Sequence, residues 1–239
     1  DWNVTARVGS PFVKRYVEER ELTLLLLVDV SGSQSFGTQR HAKRAVAAEL
    51  AALLSFSAIH NNDRVGLLSF SDRIEQFVPP QKGPRHALRL IRDILFHQPE
   101  HRGTSIRGAL DYLQKVQHKR AIVFLLSDFC DSGYDRSLRL AARKHDVIAV
   151  RIEDLRETQL PSIGLIQFED AETGRQLLID SSSRAVRDVW EREAATRREN
   201  FQRLTRAAGI DTIEVGTDGT HLEGLVRFFQ RRERRMRRQ

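Results

Sequence analysis

Apolar runs closed by turn residues alternate along this chain with stretches whose apolar positions recur at the helical period. Residues 22–28 read as a buried strand. Residues 39–60 follow as a helix, with Ala42, Val46, Leu50, Leu53 and Leu54 on one face. A second strand is predicted over 64–70, then a short edge strand over 73–78 halted by Pro79 and Pro80. Helices are predicted over 85–96, with Leu88, Ile91 and Leu95 in phase, and over 104–116, with Ile106, Ala109, Leu110 and Leu113 inward. Thr104 is the expected N-cap of the latter.

A strongly apolar strand spans 120–126, a helix 136–145 and a strand 147–152. Residues 153–161 read as a polar linker. The runs 165–168 and 176–179 flank Ala171-Glu172-Thr173-Gly174 and predict a hairpin. A long helix over 183–208 carries Val186, Val189, Trp190, Ala194, Phe201 and Leu204, and Gly209 ends it. A strand over 212–215 and a helix from 219 to 231 or beyond, bearing Leu222, Leu225, Val226 and Phe229, complete the order.

Strands alternating with helices call for a mostly parallel sheet covered on both faces. The expectation is an α/β, Rossmann-like, doubly wound domain over 22–231, with the hairpin as a small insertion. A lead-in segment over 1–21 precedes it and a basic tail over 232–239 follows. The chain starts at Asp1, so upstream residues are expected in the natural protein.

Composition changes this picture little. At 40% hydrophobic and 30% charged residues the chain reads as globular. The longest apolar run, 24–28, is far too short to span a bilayer. The single cysteine, Cys130, excludes an internal disulfide and favours a reducing, cytoplasmic setting. The net charge of +7 resembles a nucleic-acid signal until it is located: from Arg227 onward seven arginines and one glutamate carry +6 of it. A solvated helix end is the first reading of that run; contact with nucleic acid or an anionic membrane is the second, and an acidic protein patch the third.

The candidate chemistry lies at strand ends. Asp29-Val30-Ser31-Gly32-Ser33 follows the first buried strand, and Ser127-Asp128-Phe129 follows another. In a parallel sheet these carboxyl ends open into the crevice where ligands bind. Arg102-Gly103-Thr104-Ser105 places a threonine at a helix start able to reach the same rim. Each piece alone is an ordinary turn or cap. Together they supply two carboxylates and three hydroxyls, hard donors suited to Mg²⁺, Mn²⁺ or Ca²⁺ rather than Zn²⁺. Such a set leaves a small octahedral ion short of ligands, open to water or an incoming carboxylate. An aspartyl-phosphate loop would need a second carboxylate where Ser31 stands, and neither a nucleophile elbow nor a phosphate loop is present. His97 and His101 are separated by Pro99 and do not form a helical metal pair. Cys130 reads as a neighbour of the site without a basic partner to activate it, and Trp2 and Trp190 as packing residues.

The set Asp29, Ser31, Ser33, Thr104 and Asp128 resembles the metal-ion-dependent adhesion site of von Willebrand factor A-type domains. That resemblance implies that Ser31, Ser33 and Thr104 touch the ion directly and that Asp29 and Asp128 act mostly through water. Asp1-Trp2-Asn3, residues 14–21, Asp63-Arg64-Val65-Gly66, Ser127-Asp128-Phe129 and Phe228-Phe229 followed by arginines are similar to the bacterial domain of unknown function 58 family. It implies a metal-dependent, non-enzymatic protein-interaction module, an adaptor or partner of a MoxR-type AAA+ ATPase, with a partner that presents an acidic residue. A metal-dependent hydrolase at the same site and nucleic-acid binding through the arginine tail are the alternatives. Nucleic acid and membrane are not the expected partners.

Overall fold

The computed structural model describes residues 21–35, 42–172, 174–219 and 221–236. Expectations that fall on residues 1–20, Trp2 among them, on 39–41, on Thr173 and on the last three residues lie outside them. At the centre is β1 (Thr23–Asp29), from which every residue after Thr23 is buried. It lies between β2 (Arg64–Phe70) and β4 (Ile122–Ser127), parallel to both. Parallel pairing continues from β4 to β5 (Asp146–Glu153) and on to β8 (Asp211–Gly216). The antiparallel β3 (Ile74–Gln81) closes the other edge, giving the order β3-β2-β1-β4-β5-β8. A separate antiparallel pair, β6 (Leu165–Glu169) with β7 (Gln176–Asp180), is the expected hairpin.

Side chains alternate across the sheet, so each central strand feeds two cores. On one face Leu24, Leu26 and Val28 meet Val46, Leu50 and Leu54 of α1 (Lys43–His60). Leu90 and Ile94 of α2 (Pro84–Phe96) and Leu225 and Phe228 of α7 (His221–Met236) share that core. On the other face Leu25 and Leu27 meet Ile106, Ala109, Leu110 and Leu113 of α3 (Ile106–Val116). Leu138 of α4 (Asp135–Lys144) and Phe201 of α6 (Arg184–Ala208) cover the remainder. Each fully buried leucine contributes roughly 1.5–3 kcal/mol of transfer free energy. Those of β1 therefore anchor both cores at once. The α/β, doubly wound architecture and the hairpin insertion stand as expected.

Several details differ. The edge strand runs through Pro79 and Pro80 to Gln81 instead of stopping at Val78. An edge position tolerates proline because its outward side needs no ladder donor, and the register shifts between Val65 and Leu67 where the prolines pass. Gly66 accommodates that passage: a Cβ there would stand 2.8 Å from Leu25 Cδ2 and 3.0 Å from the Pro80 nitrogen.

On α2 the buried face is Ala87, Leu90 and Ile94, while Leu88 and Leu95 are exposed. Leu53 of α1, Val189 of α6, and Val226 and Phe229 of α7 are exposed as well. The cap of α3 is Ser105, whose hydroxyl accepts from the Gly108 amide at 3.1 Å, so Thr104 is released from that duty. Within the expected linker lies a one-turn helix, α5 (Leu155–Thr158), held by a capping box between Asp154 and Glu157. The C-terminal helix continues to Met236, and Arg232 pairs with Asp146 of β5, so the first part of the expected tail is helical. Among the described residues, no helix is long and apolar enough to cross a membrane.

Candidate metal centre

After β1 the chain moves to β2 and the β3 edge, then returns to place β4 on β1's other side. The strand order reverses between these two strands, and a crevice opens at their carboxyl ends. Both ends deliver a buried carboxylate there, Asp29 from β1 and Asp128 just past β4. Asp29 Oδ1 accepts from its own turn, the Ser31 amide at 3.0 Å. Its Oδ2 accepts from the Ser127 hydroxyl of β4 at 2.7 Å, so neighbouring strands fix one carboxylate. A 3₁₀ turn over Gly32–Ser35 then brings the Ser33 hydroxyl to 3.1 Å from that of Ser31. Ser33 also hydrogen-bonds Asp128.

Asp128 Oδ1 accepts from the Cys130 amide at 3.1 Å and Oδ2 accepts from the Lys43 ammonium at 3.0 Å. The turn between them puts Phe129 at φ +58°, a left-handed conformation uncommon for a bulky residue. Packing holds it there: the Phe129 ring lies 4.6 Å from that of Phe201 and 6.2 Å from that of Tyr134.

Thr104 arrives on the loop before α3. That loop is tied down on both sides, by the Gly32 amide donating to the Arg102 carbonyl at 2.9 Å and the Ser105 amide donating to the Ser71 carbonyl at 2.8 Å. The Thr104 hydroxyl points to the hairpin tip and donates to Glu172 Oε1 at 2.6 Å. The structure thus joins Asp29, Ser31, Ser33 and Asp128 in one hydrogen-bonded chain. It places the Thr104 loop against Gly32, with Glu172 on the Thr104 hydroxyl.

Burial, and then the nearby charge of Asp128, raise the Asp29 carboxyl to about 7; the bonds from Ser31 and Ser127 oppose that rise. For Asp128, burial is the largest influence and works against ionisation, but the Lys43 ammonium together with the bonds from Cys130 and Ser33 outweighs it and holds the carboxyl below its usual range. Lys43 is itself fully buried; desolvation disfavours its charge, yet Asp128 and Glu157 raise its pKa above the ordinary value. Burial raises Glu157, and Lys43 pulls it back. Glu172 is raised by burial and by the charges of Asp128, Asp170 and Asp131, against the Thr104 bond. Cys130 has exposed surface, yet desolvation of its thiol, followed by the Asp128 charge, pushes it up to about 12 and leaves it inert as a nucleophile. Asp128 and Glu157 share the Lys43 ammonium, whereas Asp29 is bonded to the Ser127 hydroxyl and Glu172 to the Thr104 hydroxyl.

Sequence reasoning missed Lys43 and Glu157. Lys43 lies three residues before Val46 on the core-facing side of α1, where a charge calls for a buried partner. The spacing Asp154-x-x-Glu157 was a legible capping box.

Among the described residues, no group of three or more His, Cys, Asp or Glu side chains gathers as a metal cage. The donor set is instead hydroxyl-rich, of the hard-oxygen chemistry that suits a small hard cation. Adjacent ligands of an octahedral ion bonded at about 2.1 Å lie about 3.0 Å apart, and the Ser31 and Ser33 hydroxyl oxygens lie 3.1 Å apart.

Comparison with known proteins supports the fold and supplies kinship without an activity. An uncharacterized protein of Mycobacterium tuberculosis strain H37Rv is 34% identical over 241 residues, covering 98% of this chain and 74% of the relative. An uncharacterized Mycobacterium avium protein is 30% identical over 164 residues, covering 66% of this chain and 94% of its own. Among solved structures, the conserved hypothetical protein BatB of Bacteroides thetaiotaomicron superposes with a TM-score of 0.60 at 14% identity, covering 88% of this chain and 98% of that one. An aerotolerance-related membrane protein of Bacteroides fragilis gives 0.58 at 14% identity, covering 84% and 96%. At such identity the likeness is one of fold alone. Residues 1–200 match the profile described as protein of unknown function DUF58, and with most of its length inside that match the chain belongs to the DUF58 family.

Proposed function

We propose that this chain is a protein-interaction module that works through a divalent cation, Mg²⁺ with Mn²⁺ or Ca²⁺ as substitutes, held by Asp29, Ser31, Ser33, Thr104 and Asp128. The observation that carries this reading is the meeting of hard oxygen donors at the β1/β4 switch point, with Ser31 and Ser33 hydroxyls 3.1 Å apart. Ser31, Ser33 and Thr104 would contact the ion through hydroxyl oxygens, as in the adhesion site of von Willebrand factor A-type domains. Asp29 orients the Ser31 turn through the amide and, through Ser127, locks β1 to β4. Asp128 engages the Ser33 hydroxyl and balances the buried Lys43. When bound, the cation supplies an electrophilic position for a carboxylate. A partner presenting an acidic residue follows, and a MoxR-type AAA+ ATPase is the candidate that the family resemblance suggests.

A binding role is favoured over hydrolysis because both central carboxylates are already committed. Asp29 accepts two hydrogen bonds, and Asp128 accepts from Lys43, Cys130 and Ser33. Asp128, held below its usual range beside Lys43, is a poor base, and Asp29 is buried with both oxygens bonded to Ser31 and Ser127.

Isothermal titration with Mg²⁺ and Mn²⁺ tests the reading. Wild-type protein should bind one ion, and Asp29→Ala should weaken binding by about a hundredfold, as loss of a ligand-organising carboxylate does. Equal binding by both proteins rejects it. A pull-down of the ATPase that is unchanged by chelation rejects the metal-dependent step.

A further inference from the structure

The hairpin is an element at the crevice that the proposed function leaves unused. Its tip is built with care for a loop that an antiparallel pair could close in many ways. The Asp170 side chain accepts from the Glu172 amide at 2.9 Å, the Gly174 amide donates to the Asp170 carbonyl at 2.7 Å, and the Asp170 amide donates to the Arg175 carbonyl at 2.9 Å. That folded tip rests on the metal turn. A Cβ added at Gly32 would stand 2.3 Å from the Ala171 carbonyl oxygen, so the glycine is what lets the two backbones meet. From this seat Glu172 directs Oε1 to the Thr104 hydroxyl at 2.6 Å.

A surface glutamate with no task turns to water, away from like charges. Glu172, although exposed, commits Oε1 to the Thr104 hydroxyl and sits close enough to Asp128, Asp170 and Asp131 to feel their charges. A carboxylate aimed at a carboxylate-rich crevice makes electrostatic sense around a positive centre. The hairpin also has the loose attachment of a part that can be displaced. Phe168 packs on Trp190 of α6 at 5.2 Å with the rings tilted by 41°, but Leu165, Leu177 and Leu178 remain exposed. An isolated two-stranded pair of this kind is marginally stable by itself.

We propose that Glu172 is the site's own acidic ligand: the β6–β7 hairpin seats it on the Thr104 rim, in the place that a partner's acidic residue must take. The inference rests on the cation reading above and deepens it, because it names how the site is regulated. Partner carboxylates compete with Glu172, and engagement requires the hairpin tip to give way. Binding by an outside acid is therefore weaker than the naked site would allow, by the fraction of time that the tip is lifted.

The test uses Mn²⁺ as probe on wild-type protein, Glu172→Gln and Asp29→Ala, with titration calorimetry for affinity and water-proton relaxation for the waters bound to the ion. Glu172 is exposed and its substitution leaves the core untouched. Glu172→Gln should weaken Mn²⁺ binding about tenfold and add one ion-bound water. Acetate should then displace that water from Mn²⁺-loaded Glu172→Gln at concentrations that leave the wild type unchanged. Mn²⁺ binding that is lost in Asp29→Ala but equal in affinity and hydration between wild type and Glu172→Gln keeps the cation site and overturns the role of Glu172. Failure of the wild type to bind Mn²⁺ overturns both.

Discussion

Replacing Lys43 with methionine isolates the most exacting electrostatic demand in the molecule. The ammonium is fully buried, 3.0 Å from Asp128 Oδ2, and also bonds Glu157. A unit pair at that separation is worth about 5 kcal/mol at an effective dielectric near 20, and desolvation cancels part of it. Lys43→Met keeps the volume and removes the charge, leaving two carboxylates facing each other without a counterion. Breaking a buried pair in this way costs about 3–5 kcal/mol. For a domain of this size each kcal/mol moves Tm by about 2–4 °C, so a fall on the order of 10 °C is expected. Urea unfolding in EDTA measures the loss. The double variant Lys43→Met with Asp128→Asn should recover at least about 2 kcal/mol relative to the sum of the singles. Excess Mg²⁺ should restore Lys43→Met more than the wild type, because the ion replaces the missing positive charge. A loss under about 1 kcal/mol in EDTA, or strictly additive effects in the double variant, refutes the assignment of Lys43 as the counterion of Asp128.

Two further predictions concern the scaffold. Burial, with Lys144 and Arg120 nearby, lowers the His145 pKa from 6.5 to about 4, and among the described residues neither ring nitrogen has a hydrogen-bond partner. The unfolded ring takes up a proton below about pH 6.5 while the native ring stays neutral down to about pH 4, so stability is full above that window and falls as pH descends through it. The loss is about 1–2 kcal/mol once solvent screening is allowed for, and His145→Leu should flatten that part of the pH–stability curve; an unchanged slope between pH 6.5 and 4 removes the claim. Gly66→Ala should destabilise by about 1–3 kcal/mol through overpacking, because its methyl meets Leu25 and the Pro80 backbone; a urea midpoint equal to or above that of the wild type contradicts the close approach.

What the chain disclosed about itself depends on how local the controlling physics is. The central strands were legible because β1 and β4 are buried on both faces and read as unbroken apolar runs, and β5 is interrupted only by Arg151 between Val147 and Ile152. Helix α3 was legible because its inward positions form one clean stripe. Helix α2 was legible as a helix, but its inward face was not: Leu88, Leu90, Ile91, Ile94, Leu95 and Phe96 wrap more than one face, and packing against α1 and the sheet decides that Leu90 and Ile94 turn inward. Thr104 and Ser105 are adjacent and equally able to cap, and the loop's tie to Ser71 is what selects Ser105.

At the site, Asp29 and Asp128 could be located from sequence because strand ends fix them. The Lys43–Glu157 bond joins residues 114 positions apart, and the Thr104–Glu172 bond residues 68 apart. Such pairs exist only once the layers have assembled, and no window of the sequence contains both partners.

The two prolines on β3 limit how this molecule can associate with copies of itself. A bare outermost strand is a template on which another chain can polymerise, amide to carbonyl, without any designed recognition. Pro79 and Pro80 have no amide hydrogen to offer along that margin, and the shifted register there bends the strand out of line for a neighbour. Growth of the sheet past β3 is therefore discouraged in the covalent structure itself.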